Sequence, residues 1–272
     1  MVRIGRWIGS HLVLALGLCV LVYMYIPNVI VAMMSFNDAT GARNLYRFQS
    51  FTWDNWLHPC APTGMCEAVS TSIQIGLIAT VGATILGTLA AFGLVRHRFT
   101  GRSAMNIVLF LPMATPEIVM GSSLLALFVA AGLGGQLGFW TILAAHIMFC
   151  LSFVVVTVKA RLSGMDQNME KAAMDLYANE WQTFWRITFP LVFPGVLSAA
   201  LLSFSLSFDD FIITNLNSGQ TVTFPMYVWG AAQRGVPMQV NVIGTMMFLA
   251  ALATVIIGEV GSRRRAKMLA SR

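Results

Sequence analysis

Two adjacent carboxylates, Asp209 and Asp210, stand inside a long apolar run, with Ser203, Ser207 and Thr214 around them. Ser203, Ser207, Asp210 and Thr214 recur at four, three and four residues, which puts them on one helical face with Asp209 and Ser205 beside it. A third carboxylate, Glu117, follows Pro112 and Pro116 in another apolar run. Proline kinks a helix and frees carbonyls, and a carboxylate in apolar surroundings is costly unless it faces protein or water. Such acids are expected to meet a cation. Counted at 1.5 Å per residue from Ala104 and Gly195, Glu117 and Asp209 both lie roughly 20 Å along their helices, so the acids are expected at a common depth. Tyr227 and Trp229 add aromatic faces suited to cation–π contact. His146, a lone polar residue in its run, reads as a hydrogen-bonded packing group.

The elements that must carry these residues are membrane-spanning helices. The chain has 272 residues, 57% hydrophobic and 10% charged, with a mean hydropathy of +0.73, outside the range of soluble domains. The expected class is all-α and polytopic. Apolar runs at roughly 11–34, 69–95, 104–131, 139–158, 195–216 and 241–261 each approach the ~20 residues that cross a bilayer, and a backbone crossing lipid this way is helical. In the second run Ala79, Ala83, Gly87 and Ala91 recur every four residues, a stripe that lets another helix approach closely.

Basic residues set the orientation. Arg3, Arg6, Arg96, Arg98, Arg102, Lys159, Arg161, Lys171, Arg186, Arg263, Arg264, Arg265, Lys267 and Arg272 fall on alternate, same-side segments, whereas Arg43, Arg47 and Arg234 fall opposite. Both termini and the 159–194 loop are therefore expected in the cytoplasm, with 35–68, 132–138 and 217–240 outside. The net charge of +6 is accounted for by topology and anionic lipid at the closing basic run, without nucleic acid. Glu259 is spaced to pair with Arg263. Cys60 and Cys66 fall in the first outside loop, where an oxidising compartment permits the disulfide expected between them.

The 159–194 loop reads as helix, turn, helix. Asp166 can cap a helix with Met165, Met169, Ala172, Ala173 and Leu176 on its apolar side and Glu170, Lys171 and Asp175 on others. Asn179 caps a second helix, with Gln182 three residues on and Trp181, Phe184, Trp185 and Thr188 in a stripe. Pro190 and Pro194 are expected to re-aim the chain. Periodicity alone does not separate a loop lying at the headgroups from a docking knob for a soluble partner. Lys171-Ala172-Ala173 with Asp175-Leu176, and then Ile187-Thr188-Phe189-Pro190, resembles in spacing the "EAA" loop of ABC importer permeases. Lys171 stands where that family has the glutamate that faces its ATPase, next to Glu170, and Tyr177 stands where it has glycine.

Pro116 to Gly121, Leu206 to Ile213 and Pro237 to Thr245 further resemble the spermidine/putrescine permease subunits of those importers. The resemblance implies a six-span type I importer fold and import of polyamines, with a second homologous permease and an extracytoplasmic polyamine-binding protein. It also implies two copies of an ABC ATPase that bind ATP and magnesium and dock on Glu170, Lys171, Ala172, Ala173, Asp175, Leu176, Tyr177, Ile187 and Pro190. Glu117, Ser207, Asp209, Asp210, Tyr227 and Trp229 would then line the substrate path, in a bacterial inner membrane. The chain carries no GxxxxGK[ST], no HExxH and no paired CxxC, so no catalytic group or cofactor is assigned to it. The same acids also suit a proton- or cation-coupled secondary transporter, which would give the cytoplasmic loop no task. A membrane enzyme is a third reading, for which no nucleophile–base set appears.

Overall fold

The computed structural model describes residues 2–39, 47–166 and 168–270. Arg43 and Arg272 lie outside these, as do the side chains of Arg3, Arg6, Glu259 and the closing basic run. The described residues fold into helices α1 (Val2–Met34), α2 (Asp54–Leu57), α3 (Met65–Arg96), α4 (Arg102–Ala114), α5 (Glu117–Ala130), α6 (Phe139–Ser163), α7 (Asn168–Asp175), α8 (Glu180–Thr183), α9 (Phe189–Asp209), α10 (Ile212–Asn217), α11 (Phe224–Arg234) and α12 (Met238–Ala270). A 3-10 turn, Gly134–Gln136, precedes α6, and a π-helical turn, Phe184–Thr188, joins α8 to α9. Among the described residues, five stretches are long and apolar enough to cross a membrane, and α4 and α5 taken together are so too but are bent by 110° at their break.

The chain divides into two compact units, residues 1–66 with 228–272 and residues 67–227. In the first, α1 packs on α12, yet none of the most apolar window of Leu12–Met34 is buried within the chain. Past α1 the chain knots around Asn37, which is buried, donates to the Arg47 carbonyl (3.2 Å) and accepts from the Gln49 N–H (2.7 Å). Asn55 donates to the carbonyls of Ser35 and Asn37 and accepts from Gln239 at the start of α12 (3.3 Å). Phe36 stacks between Phe51 and Trp56, with Trp53 against its edge. Cys60 and Cys66 close a disulfide, their Cα atoms 5.4 Å apart.

In the second unit α6 is the central helix, packing on α4, α5, α9 and α10. The stripe on α3 is buried as its spacing requires: Ala79, Ala83 and Ala91 are inaccessible, and Gly87 lies so close to α6 that an added Cβ would stand 2.7 Å from the Cβ of Val154. Small residues thus let two backbones meet where lipid gives no hydrophobic drive for association.

Two runs differ from their expected form. The third is broken at Thr115, whose extended backbone (ψ 133°) follows from the proline after it, so α5 starts afresh at Glu117. The fifth begins earlier than residue 195, because Pro190 and Pro194 do not re-aim the chain: helical structure continues from Glu180 through the π turn to Asp209. Pro190 falls at the second position of α9, where the widened π turn has already interrupted the regular hydrogen-bond ladder. The 217–240 segment also holds a helix, α11, and α12 starts at Met238.

Gly87→Leu is expected to force α3 off α6, lowering the melting temperature of the purified protein in detergent and costing about 1–3 kcal/mol. An exposed control on the same helix, Leu89→Ala, should leave it close to wild type.

Candidate functional site

Both broken spans carry an acid at the break. Asp210 has an extended backbone (φ −64°, ψ 126°) between α9 and α10. Its carboxylate accepts the N–H groups of Ile213 (3.4 Å) and Thr214 (2.8 Å), taking up donors that the first turn of α10 would otherwise leave unpaired, and it accepts the Thr214 hydroxyl (2.8 Å) as well. From α6, His146 reaches the same place, with Nε2 2.9 Å from Thr214 Oγ1 and 3.4 Å from Asp210 Oδ2, and Nδ1 2.7 Å from Ser207 Oγ. The Thr214 hydroxyl gives its hydrogen to Asp210, so its lone pair faces a proton on His146 Nε2, which leaves Nδ1 to accept from Ser207. In this arrangement each ring nitrogen meets a hydroxyl. The His146 and Asp210 side chains are 1% and 2% exposed.

The face read from the sequence is therefore real in its members. Ser203, Ser207, Asp210 and Thr214 are all buried, but helix α9 ends at Asp209, and the face is turned onto α6. Asp210 and Ser207 belong to a buried staple. Asp209, the last residue of α9, and Glu117, the first of α5, remain exposed. The structure brings the three acids into electrostatic range of one another, because α5 and α10 lie side by side. Gly121 packs on Ile213 and Leu216, and the Asn217 amide donates to the Gly121 and Ile213 carbonyls at 3.1 and 2.9 Å. On α11, Tyr227 is partly buried and Trp229 is 58% exposed.

The 159–194 segment forms a second site. Asp166 accepts the Asn168 N–H (2.9 Å) as α7 starts, and Asn179 and Gln182 form the reciprocal capping box of α8. Between them α7 ends in a Schellman turn: Ala178 N–H bonds to Ala173 O (3.1 Å) and Tyr177 N–H to Met174 O (2.9 Å). Tyr177 takes the left-handed position of that turn with φ 64°, at a cost of roughly 1–2 kcal/mol over glycine. The turn keeps the shape a glycine would give it, with the ring 98% exposed.

The burial of α7 inverts its apolar pattern. Met169, Ala172 and Leu176 face outward with Lys171 and Asp175, whereas Glu170 is buried. Its carboxylate is gripped by both terminal nitrogens of Arg96, at the end of α3, and accepts the hydroxyl of Thr188, the last residue of the π turn. The Arg96 hydrogen bonds hold the Glu170 carboxyl below its ordinary range, outweighing burial, and Thr188 adds to them. Pro190 is exposed, while Ala173 and Ile187 are partly covered. Trp181 and Trp185 contact each other edge to face and stand 70% and 46% exposed. A face of this kind, apolar and open, awaits another surface.

Broken spans with acids at the breaks, above a loop that turns its apolar side outward, suit a subunit of a larger transport assembly. Residues 83–263 match the family described as binding-protein-dependent transport system inner membrane component. The chain belongs to this family. It is 38% identical over 89% of its length, and 93% of the relative's, to the spermidine/putrescine transport system permease protein PotC of Haemophilus influenzae. It is 36% identical over 88% of its length, and 83% of the relative's, to the putrescine transport system permease protein PotI of Escherichia coli K12. Its fold is that of a type I ABC importer permease. It matches a chain of the bacterial alginate ABC transporter, crystallised with an alginate pentasaccharide-bound periplasmic protein, at a TM-score of 0.67 and 15% identity, covering 92% of this chain and 91% of that one.

This inner-membrane transport component is thus a permease subunit and not an enzyme, and family membership lends nothing to the secondary-transporter reading. His146 is the hydrogen-bonded packing group that its place in the sequence indicates, and the structure supplies its partners, Ser207 and Thr214. His146→Ala should leave the buried Ser207 and Thr214 hydroxyls each short of a partner and lower stability by about 1–3 kcal/mol, read as a lower detergent melting temperature and less protein in the membrane. Asp209→Asn, at an exposed position, should melt as wild type does.

Proposed function

We propose that this permease moves polyamines into the cytoplasm as part of an ATP-driven importer, together with a second homologous permease, two copies of an ATPase and an extracytoplasmic polyamine-binding protein. The observation that carries this reading is its 38% identity over most of its length to a protein named for spermidine and putrescine transport. The site chemistry fits the same substrate. A polyamine is a flexible polycation, and an apolar path excludes it unless carboxylates offset part of its lost hydration. Asp209 and Glu117 are the groups placed to do so, exposed at the ends of half-helices in otherwise apolar spans. Trp229 and Tyr227 contribute aromatic surface. Asp210 and Ser207, committed to His146, act on the path through the shape of the break. Binding there is weak, because a path must release what it admits.

The termini and the 159–194 segment face the cytoplasm in this reading, in a bacterial inner membrane, and the ATPase, with its ATP and magnesium, docks on the open face of α7 and α8. Met169, Leu176, Tyr177 and Trp181 supply the apolar contact. Lys171, exposed among them, calls for a carboxylate on the ATPase. On the other side, a cleft of about 490 Å³ lined by Asp38, Asp54, Asn55 and Gln239 offers the binding protein an acidic landing place.

The test is labelled spermidine and putrescine uptake by vesicles carrying the whole assembly, with ATP supplied inside. Glu117→Gln combined with Asp209→Asn should reduce uptake about tenfold or more, equivalent to about 1.4 kcal/mol, at unchanged protein level. Uptake that is untouched would sink the path assignment. Separately, Lys171→Glu should lower the ATPase recovered with the purified permease, and reversing one acidic residue on the ATPase should restore it.

A further inference from the structure

The Arg96–Glu170–Thr188 cluster is left unexplained by this function. Glu170 lies on the loop that meets the ATPase, yet it is turned away from any partner and its side chain is only 10% exposed. One carboxylate joins three elements: the end of α3 through Arg96, α7 through its own backbone, and the start of α9 through Thr188. Around it the chain is not packed solid. A cleft of about 910 Å³ lies between the end of α3 and the loop, lined by Phe92, Arg96, Glu170, Trp181, Phe184 and Thr188. The polar cluster bridges a gap that apolar packing does not fill.

We propose that Arg96, Glu170 and Thr188 form a positioning clamp that makes the docking loop move as one body with α3 and α9, so that Glu170 couples ATP hydrolysis to transport without touching the ATPase. This rests on the reading of the 159–194 segment as the ATPase-docking loop. Both helices that receive the motion are built to pass it on. From Arg96, α3 runs back along the Gly87 contact with α6, where the backbones are too close to slide freely. From Thr188, α9 runs to Asp209 at the second break. The two-pronged guanidinium–carboxylate geometry fixes orientation as well as distance, which a single contact would not. The π turn adds to this, since its widened register sets Thr188, buried at 3%, inward against Glu170. Lys171, one residue on, is left outward for the partner, so two neighbouring charges on α7 divide the tasks of holding and docking.

The experiment compares wild type, Arg96→Ala, Glu170→Ala and the double variant, each in the complete assembly reconstituted in lipid, by ATP hydrolysed per polyamine moved. Each single variant should raise that ratio roughly fivefold or more, the lower end of coupling energies between sites, with the ATPase retained in wild-type amount. The double variant should be no worse than the worse single one, because the partners act as a unit. Thr188→Val keeps the shape and removes one hydrogen bond, so it should raise the ratio about threefold even if the alanine variants fail to assemble. An unchanged ratio, additive effects of the two alanines, or loss of the ATPase from Glu170→Ala alone would overturn the clamp. Failure of the wild-type permease to hold any ATPase would instead overturn the docking reading.

Discussion

Helix termini in an apolar medium leave backbone donors and acceptors that no water can satisfy, and this constraint organises the middle of the second unit. A span that breaks there has to bring its own hydrogen-bond partner. Asp210 is that partner for α10: its carboxylate takes the two N–H groups at the break and is itself steadied by Thr214 and His146. Once α10 is fixed, α5 has a surface to lie on, through Gly121 and Asn217. The break in the third span is bought with proline instead, which removes a donor outright. Two chemically different solutions thus produce two interrupted helices that meet, and the acids left over, Asp209 and Glu117, are the ones that stay exposed.

The 159–194 loop solves a different problem with a similar group. It has little core of its own, and many of its apolar residues stay exposed. Its internal order comes from caps, from the Schellman turn and from the Glu170 carboxylate, all polar devices that work in water. Apolar surface stays available where the polar residues do the holding.

Much of this was legible from residue order. Hydropathy marked the spans, the four-residue stripe marked the face on which α3 meets α6, and Asn179 with Gln182 marked a capping box that forms as written. The misreadings share a physical cause. Periodicity sorts the residues of α7 onto faces without saying which face is covered, and the structure buries Glu170 and leaves Leu176 exposed. Periodicity also assumes an unbroken helix, so the Ser203–Thr214 face looked continuous through Asp210, although a carboxylate there caps a new helix as readily as it lines an old one. Tyr177, standing where the family has glycine, takes the left-handed position itself, and one such residue costs only roughly 1–2 kcal/mol. His146 pairs with residues more than sixty positions away, a separation that local pattern does not reach.

That separation has a consequence for the order in which the protein is made. Over Leu12–Met34, helix α1 satisfies its own backbone and leaves most of its apolar side chains exposed, so this stretch is at home in lipid as soon as it emerges. Helix α6 is not. It carries an imidazole whose partners, Ser207, Asp210 and Thr214, are synthesised only later, and until they arrive that ring has either lipid or water for company. The central helix of the second unit therefore settles only once α9 and α10 have been made, and its insertion is completed by residues that belong to other spans.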